Sequence, residues 1–196
     1  MQAAANHAQA DDLITQVRAQ FPFAIIGSHC VGGDQTIVLN REHLLAVMQY
    51  LRDHAAMAFE QLVDVTATDF ADFDAELRHF VSPLDDGRSA QLPRFEVVYH
   101  LLSLSRAQRL RVKVPLAEGD LHLPSLCGLW IAANWGEREA WDMYGVKFDN
   151  HPDLRRILMY EQFEGHPLRK DYPLRGYQPL VPMPDLEDYK DNENYR

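Results

Sequence analysis

Only two of the 196 residues are cysteines, Cys30 and Cys127. Two thiols cannot supply the four thiolates of an iron–sulfur cluster or of a Cys-only zinc site. The first twelve residues carry no basic n-region and no long apolar stretch, so they do not read as a signal peptide, and the thiols are expected to be free and buried in a reducing cytosolic compartment. No apolar run approaches the roughly 18–20 residues needed to span a bilayer. Net basic charge is also lacking. Nineteen Lys and Arg face 29 Asp and Glu, for a formal charge of -10, which argues against a general nucleic-acid binder and against adhesion to an anionic membrane. The chain has no Gly-x-Gly-x-x-Gly, no phosphate-cradling Gly-x-x-x-x-Gly-Lys, no Gly-x-Ser-x-Gly elbow and no His-x-x-x-His pair. Nucleotide loops, serine-nucleophile chemistry and a compact helical metal site are thereby disfavoured.

What is present is a packed domain, with 46% hydrophobic residues. Residues 1–10 read as a disordered lead and 11–145 as the globular domain. A first helix, capped by Asp11 or Asp12, is expected to run to about Gln20 with Leu13, Ile14 and Val17 inward. Phe23–Ile26 and Thr36–Leu39 read as strands around a Gly32-Gly33-Asp34 turn. Asn40 is a candidate cap for a helix carrying Leu44, Leu45, Val47, Met48 and Leu51 at helical spacing. Leu62–Thr66 is a short strand; the two acids of the Asp64–Asp69 stretch, at a strand end, are a weak active-site cue and read rather as a loop cap, and 69–93 reads mainly as loop. Arg94–Ser103 and Arg109–Pro115 form a hairpin. In its second strand Leu110, Val112 and Val114 alternate with Arg111 and Lys113, which predicts one buried and one wet face. The fold class is therefore α+β: a two-layer sandwich of a mixed, mostly antiparallel sheet with helices on one face.

A long helix is expected from Pro124 to a C-terminal glycine, Gly145. Beyond it the texture changes, with six of the eleven prolines after residue 150. Each fixes the residue before it in an extended conformation. Residues 146–184 read as an irregular, Pro-rich, partner-binding arm with one short helix at Asp153–Met159, and 185–196 as an acidic tail.

The chemistry-bearing residues crowd around this junction. On the expected helix Glu137 falls within the apolar arc of Leu126, Leu129, Trp130, Ala133, Ala140, Trp141 and Tyr144. An unpaired carboxylate there is costly, so Glu137 either bonds a cation, with Arg155 and Arg156 as candidates, or faces a partner, with proton transfer a smaller alternative. Arg138 and Asp142 are spaced for an i,i+4 pair on an exposed face. Arg155, Arg156, Arg169, Lys170 and Arg175 are interleaved with Asp153, Glu161, Glu164 and Asp171, a mixture suited to ion pairing with a protein. A metal enzyme built on His151, His166, Asp153 and Asp171 is the outside alternative; the spacing is wrong for a compact site, and each His-Pro pair reads as a turn.

The junction also carries a resemblance. Glu137-Arg138-Glu139-x-x-Asp142-Met143-Tyr144-Gly145-Val146-x-Phe148, then His151-Pro152-Asp153-Leu154-Arg155-Arg156-Ile157-Leu158, then Gly165-His166-Pro167-Leu168-Arg169-Lys170-Asp171-Tyr172-Pro173-Leu174, closely resembles the signature of the 30 kDa subunit of respiratory complex I, the C subunit of the bacterial NADH-quinone oxidoreductase. Ala132-Ala133-Asn134-Trp135 and Asp64–Asp69 are similar to the family more loosely. Asn150 stands where glycine is common, and Tyr144 where phenylalanine is. The resemblance implies an unfused, cofactor-free peripheral-arm subunit of a proton-translocating enzyme. FMN, iron–sulfur clusters and quinone would sit on other subunits. It also implies packing against the 49 kDa-type subunit and neighbouring Fe–S subunits, on the cytoplasmic side of the inner membrane, with no span of its own. Related subunits of membrane-bound hydrogenases and formate hydrogenlyases share the signature.

Overall fold

The computed structural model describes residues 13–31, 33–87, 91–176 and 178–179. The expected lead (1–10), the end of the arm (180–184) and the acidic tail (185–196) lie outside the described residues.

Helix α1 spans residues 13–20, with Leu13 and Val17 buried. Strand β1 (Ile25–Val31) turns back at Gly33, whose φ is +93°, into β2 (Asp34–Leu39). After Asn40 the chain makes a 3-10 turn, Arg41–His43, and then α2 (Leu44–Asp53). The Asn40 side chain makes no capping hydrogen bond. Leu44, Val47, Met48 and Leu51 are buried, whereas Leu45 faces out. The sheet continues with β3 (Gln61–Asp69), β4 (Phe95–Ser103) and β5 (Gln108–Leu116). Five strands pair in the order β1-β2-β5-β4-β3, antiparallel except for β2 against β5. This is the expected mixed, mostly antiparallel α+β fold. Its core face carries Val65, Ala67, Val97, Tyr99, Val112 and Val114 against the residues of α1 and α2.

One expectation is corrected on the other face of the sheet. Residues 69–93 are mainly loop, as expected, but α3 (Ala75–Val81) lies among them, capped by Asp74, whose Oδ1 accepts from Leu77 N at 2.8 Å. This helix and Ser82 cover part of the sheet face expected to be wet. Lys113 is only 6% exposed and donates to Val81 O at 2.6 Å and Ser82 Oγ at 2.9 Å. Glu96, fully buried beside it, accepts from Ser82 Oγ at 2.9 Å and pairs with Arg78 at 3.2 Å. Alternation marks which side chains share a face, but it does not show what later sequence covers that face.

The helix expected from Pro124 is also shorter. Pro124 ends a strand, β6 (His122–Pro124), that pairs in parallel with β7 (Lys147–Asp149). Helix α4 runs only from Ala133 to Tyr144 between them. Residues 125–132 form successive turns, with Leu129 N and Trp130 N both donating to Leu126 O. Leu126 and Trp130 are buried all the same, because turns of near-helical spacing bury one side as a helix does. Helix α4 packs on β3, and a Cβ on Gly136 would lie 2.9 Å from Val65 Cβ. Val146 and Phe148, at the start of the stretch read as arm, are buried in the core.

Candidate functional site

The last turn of α4 leaves its carbonyls without helical partners, and an isolated C-terminus would hand them to water. Here the arm takes them. Gly145 N closes on Trp141 O at 2.8 Å in a left-handed cap, φ +82°. His166 Nδ1 bonds Asp142 O at 3.0 Å, Leu168 N donates to Met143 O at 3.1 Å, and Arg169 Nε donates to Tyr144 O at 2.6 Å. The Arg169 cation also lies at the negative end of the helix dipole. Burial, with the nearby Arg169 and Arg156 charges, holds the His166 imidazole below its ordinary pKa. The His-Pro-Leu-Arg run is thus the C-terminal cap of α4.

Asp142 fastens the middle of the arm. It is fully buried, and the expected surface pairing with Arg138 is replaced. Its Oδ2 accepts from the N–H groups of Ile157 (3.1 Å), Leu158 (2.9 Å) and Met159 (2.9 Å), while Oδ1 takes Arg156 Nη1 at 2.5 Å. Three consecutive amides turned onto one oxygen form an anion-binding nest. That turn is why Asp153–Met159 is not the expected short helix. Arg138 instead donates to the carbonyls of Arg155 (3.0 Å) and Arg156 (2.9 Å). Arg156 also reaches Gly165 O at 2.9 Å and lies over the Trp141 and Phe163 rings. Arg155 pairs with Asp153, on the surface, at 2.9 Å.

Glu137 is buried as expected, but neither Arg155 nor Arg156 pairs with it. Its carboxylate accepts from Leu126 N at 2.7 Å and Ser125 Oγ at 2.6 Å, so it ties the 125–132 turns to α4. Burial raises its pKa against these bonds. The thiols are free but not buried as expected, Cys30 being exposed and Cys127 half-buried. Cys127 Sγ lies 3.6 Å from Glu137 Oε2, and His151 Nε2 lies 4.0 Å from it. Cys, Glu and His donor atoms within 4.8 Å of one another could hold a metal. The hydrogen bonds oppose that use. His151 Nδ1 accepts from Asp153 N at 3.0 Å, which puts the proton on Nε2, where it is shared with Asn134 O at 3.1 Å. Nε2 is therefore a donor engaged with Asn134 O, whereas a metal needs a lone pair. The His151, His166, Asp153 and Asp171 set of the metal-enzyme alternative does not converge, since His166 caps α4 and Asp171 pairs with Arg94 at 3.0 Å.

The end of the arm is tied to the sheet. Asp69, at the end of β3, accepts both from Arg94 and from Lys170 N at 2.8 Å. This hub is the part sequence reading missed: Asp69 read as a loop cap, and Arg94 had no role. Gly165 has φ +87° and packs under Tyr172, whose ring stacks on Phe163 at 6.0 Å and whose hydroxyl accepts from Gln178 Nε2. Glu139, Asp153, Arg155, Gly165, Lys170 and Asp171 face outward; Asp142, His151, Arg156, His166 and Arg169 face inward.

Gly145 is the tightest point of the docking. A Cβ there would lie 2.5 Å from Arg169 Nη2 and 2.7 Å from the His166 ring. Gly145→Ala is expected to cost about 1–2 kcal/mol for the left-handed backbone alone, and more because the cap must back away. Urea unfolding measures the loss, and faster tryptic cleavage at Arg169 reports the displaced cap. Unchanged stability and cleavage would refute this account of the junction.

Comparison with known proteins agrees with this architecture. The family described as respiratory-chain NADH dehydrogenase, 30 Kd subunit, matches residues 37–178. The C subunit of the NADH-quinone oxidoreductase from Geotalea uraniireducens is 37% identical over 186 residues, covering 95% of this chain and 97% of that one. Its namesake from Acidithiobacillus ferrooxidans is 48% identical over 150 residues, 76% of this chain and 68% of that one. The solved trypsin-resistant fragment of Nqo5 superposes with a TM-score of 0.58 at 30% identity, covering 74% of this chain and 99% of the fragment. A chain of the archaeal membrane-bound sulfane sulfur reductase, at TM-score 0.64 and 16% identity over 84% of this chain and 85% of that one, shares the fold alone. The chain belongs to the 30 kDa subunit family of the respiratory-chain NADH dehydrogenase, the C subunits of NADH-quinone oxidoreductases.

Proposed function

We propose that this chain is a cofactor-free docking subunit in the peripheral arm of a proton-translocating NADH:quinone oxidoreductase. It braces the quinone-site, 49 kDa-type subunit from the cytoplasmic side of the membrane. Electrons pass from NADH through FMN and iron–sulfur centres to quinone on other subunits. One observation carries the reading: nearly every inward polar group of the signature is spent holding the arm on α4 and β3. Asp142, Arg156, His166 and Arg169 are all bonded within the chain. Such a site fixes the shape of the docked arm. The outward charges at Glu139, Asp153, Arg155, Lys170 and Asp171 are then available to a partner. No helix among the described residues is long and apolar enough to cross a membrane, so membrane attachment runs through the complex in this reading.

The test is a pull-down of the tagged full chain from native membranes, with subunits identified by mass spectrometry and NADH:quinone reductase activity assayed in the eluate. The 49 kDa-type and flavin subunits are expected together with activity. Recovery of the chain free of other subunits would overturn the reading. A nickel-binding subunit in place of the flavin subunit would move it to the hydrogenase-type complexes.

A further inference from the structure

Strand β3 is the last strand of its sheet and, among the described residues, pairs only with β4. Between β3, α4 and the arm lies a groove of about 440 Å³. Trp135, Val63 and Leu158 line it while remaining 71%, 59% and 56% exposed. A row of large apolar side chains left in water beside an open groove is the mark of a recognition surface. The groove also has a sign. Asp64 and Glu139 line it, and among the described residues no Lys or Arg does. An apolar floor with an acidic rim suits an apolar segment that carries a cation. The arm contributes Ile157 and Leu158, whose amides are held on Asp142 at 3.1 and 2.9 Å, so the docked arm forms one wall of the groove.

We infer that this groove is the seat of one extended segment from another subunit of the complex. A large apolar side chain of that segment packs between Trp135 and Leu158, and a neighbouring Lys or Arg pairs with Asp64 and Glu139. The inference rests on the docking-subunit reading and adds to it where the contact is made and with what chemistry. It also assigns the arm signature a second task, since the Asp142 nest sets one wall of the seat.

A photo-crosslinking residue tests it. p-Benzoylphenylalanine replaces Trp135 in one full-length chain and Leu174, fully exposed on the arm, in another. Each is expressed in cells, irradiated, and recovered with the complex. The Trp135 probe is expected to capture a peptide of another subunit with apolar residues flanking a Lys or Arg. The exposed pair Asp64→Lys with Glu139→Lys is expected to reduce that capture about tenfold without changing the melting temperature of the free chain. Capture from Leu174 but not from Trp135 overturns the inference and leaves the docking reading standing. So does capture of an acidic peptide, or capture indifferent to the charge reversal. Absence of the unsubstituted chain from the complex overturns the docking reading itself.

Discussion

Replacing Asp142 by alanine is expected to cost the chain about 3–5 kcal/mol and to free the arm from helix α4. The carboxylate is fully buried. Its removal leaves the N–H groups of Ile157, Leu158 and Met159 and the Arg156 guanidinium without their acceptor. A buried donor left unmet costs about 1–3 kcal/mol each before relaxation, so the arm opens to water in preference to staying docked. Urea unfolding gives the energy, and trypsin gives the release, because Arg155 and Arg156 become cleavable. Asp142→Asn keeps one acceptor oxygen and should retain part of the docking. The pH dependence follows from the same contacts. Burial pushes the Asp142 pKa up, but the Met159, Leu158 and Ile157 amides and Arg156 outweigh it and hold it below the carboxylate range. With the folded pKa depressed, the stabilisation is present above the unfolded value of about 4 and disappears as pH falls through the folded value. The wild-type chain should therefore lose arm protection in acid, and Asp142→Asn should lose that part of its acid dependence. A variant as stable and as trypsin-resistant as the wild type would sink the nest as the arm's anchor.

The parts of this structure that were legible beforehand are those governed by local period. Strict alternation located β5 and its hairpin with β4, and helical spacing located the buried residues of α2. Backbone chemistry was legible too. Gly145 caps α4 in the left-handed region, and Asn150, standing in for glycine, has φ +63°. What escaped is set by contacts between distant segments. Helix α3 was hidden because, among its described side chains, the buried one is Arg78, which carries no apolar signal. The α4 start was misplaced because Glu137 reaches back to Ser125 and Leu126 and stabilises turns where spacing alone suggests helix. Glu137 read as needing a cation or a partner, whereas amide and hydroxyl donors of the chain itself satisfy it. Asp142 read as a surface pair because no sequence pattern shows that three backbone amides will gather on one oxygen. The Asp69 cue was present as an acid at a strand end, and Arg94 was its partner at the start of the next long strand. Pairing the two requires knowing that β3 and β4 are neighbours.

That pair sets the second large effect. Arg94 closes a two-pronged bond on Asp69, Nε to Oδ1 at 2.8 Å and Nη2 to Oδ2 at 2.7 Å, and its remaining nitrogen reaches Glu118 at 2.8 Å and Asp171 at 3.1 Å. The Asp69 side chain is wholly buried and that of Arg94 is 17% exposed. Arg94→Ala leaves the carboxylate with the amides of Ala71 and Lys170 alone and is expected to destabilise the chain by about 3–5 kcal/mol, the usual cost of orphaning a buried charge. Arg94→Lys retains the charge without the fork and should fall between. Asp171→Ala removes a partner that is 58% exposed, for which solvent screening leaves less than about 1 kcal/mol. Its larger effect is expected on the make-up of the purified complex, since Asp171 belongs to the outward set. The urea midpoints of the three variants therefore rank Arg94→Ala lowest, Arg94→Lys next and Asp171→Ala near the wild type. If Asp171→Ala matched Arg94→Ala, the arm would depend on the exposed carboxylate, and the buried Asp69–Arg94 pair would not be what joins it to the sheet.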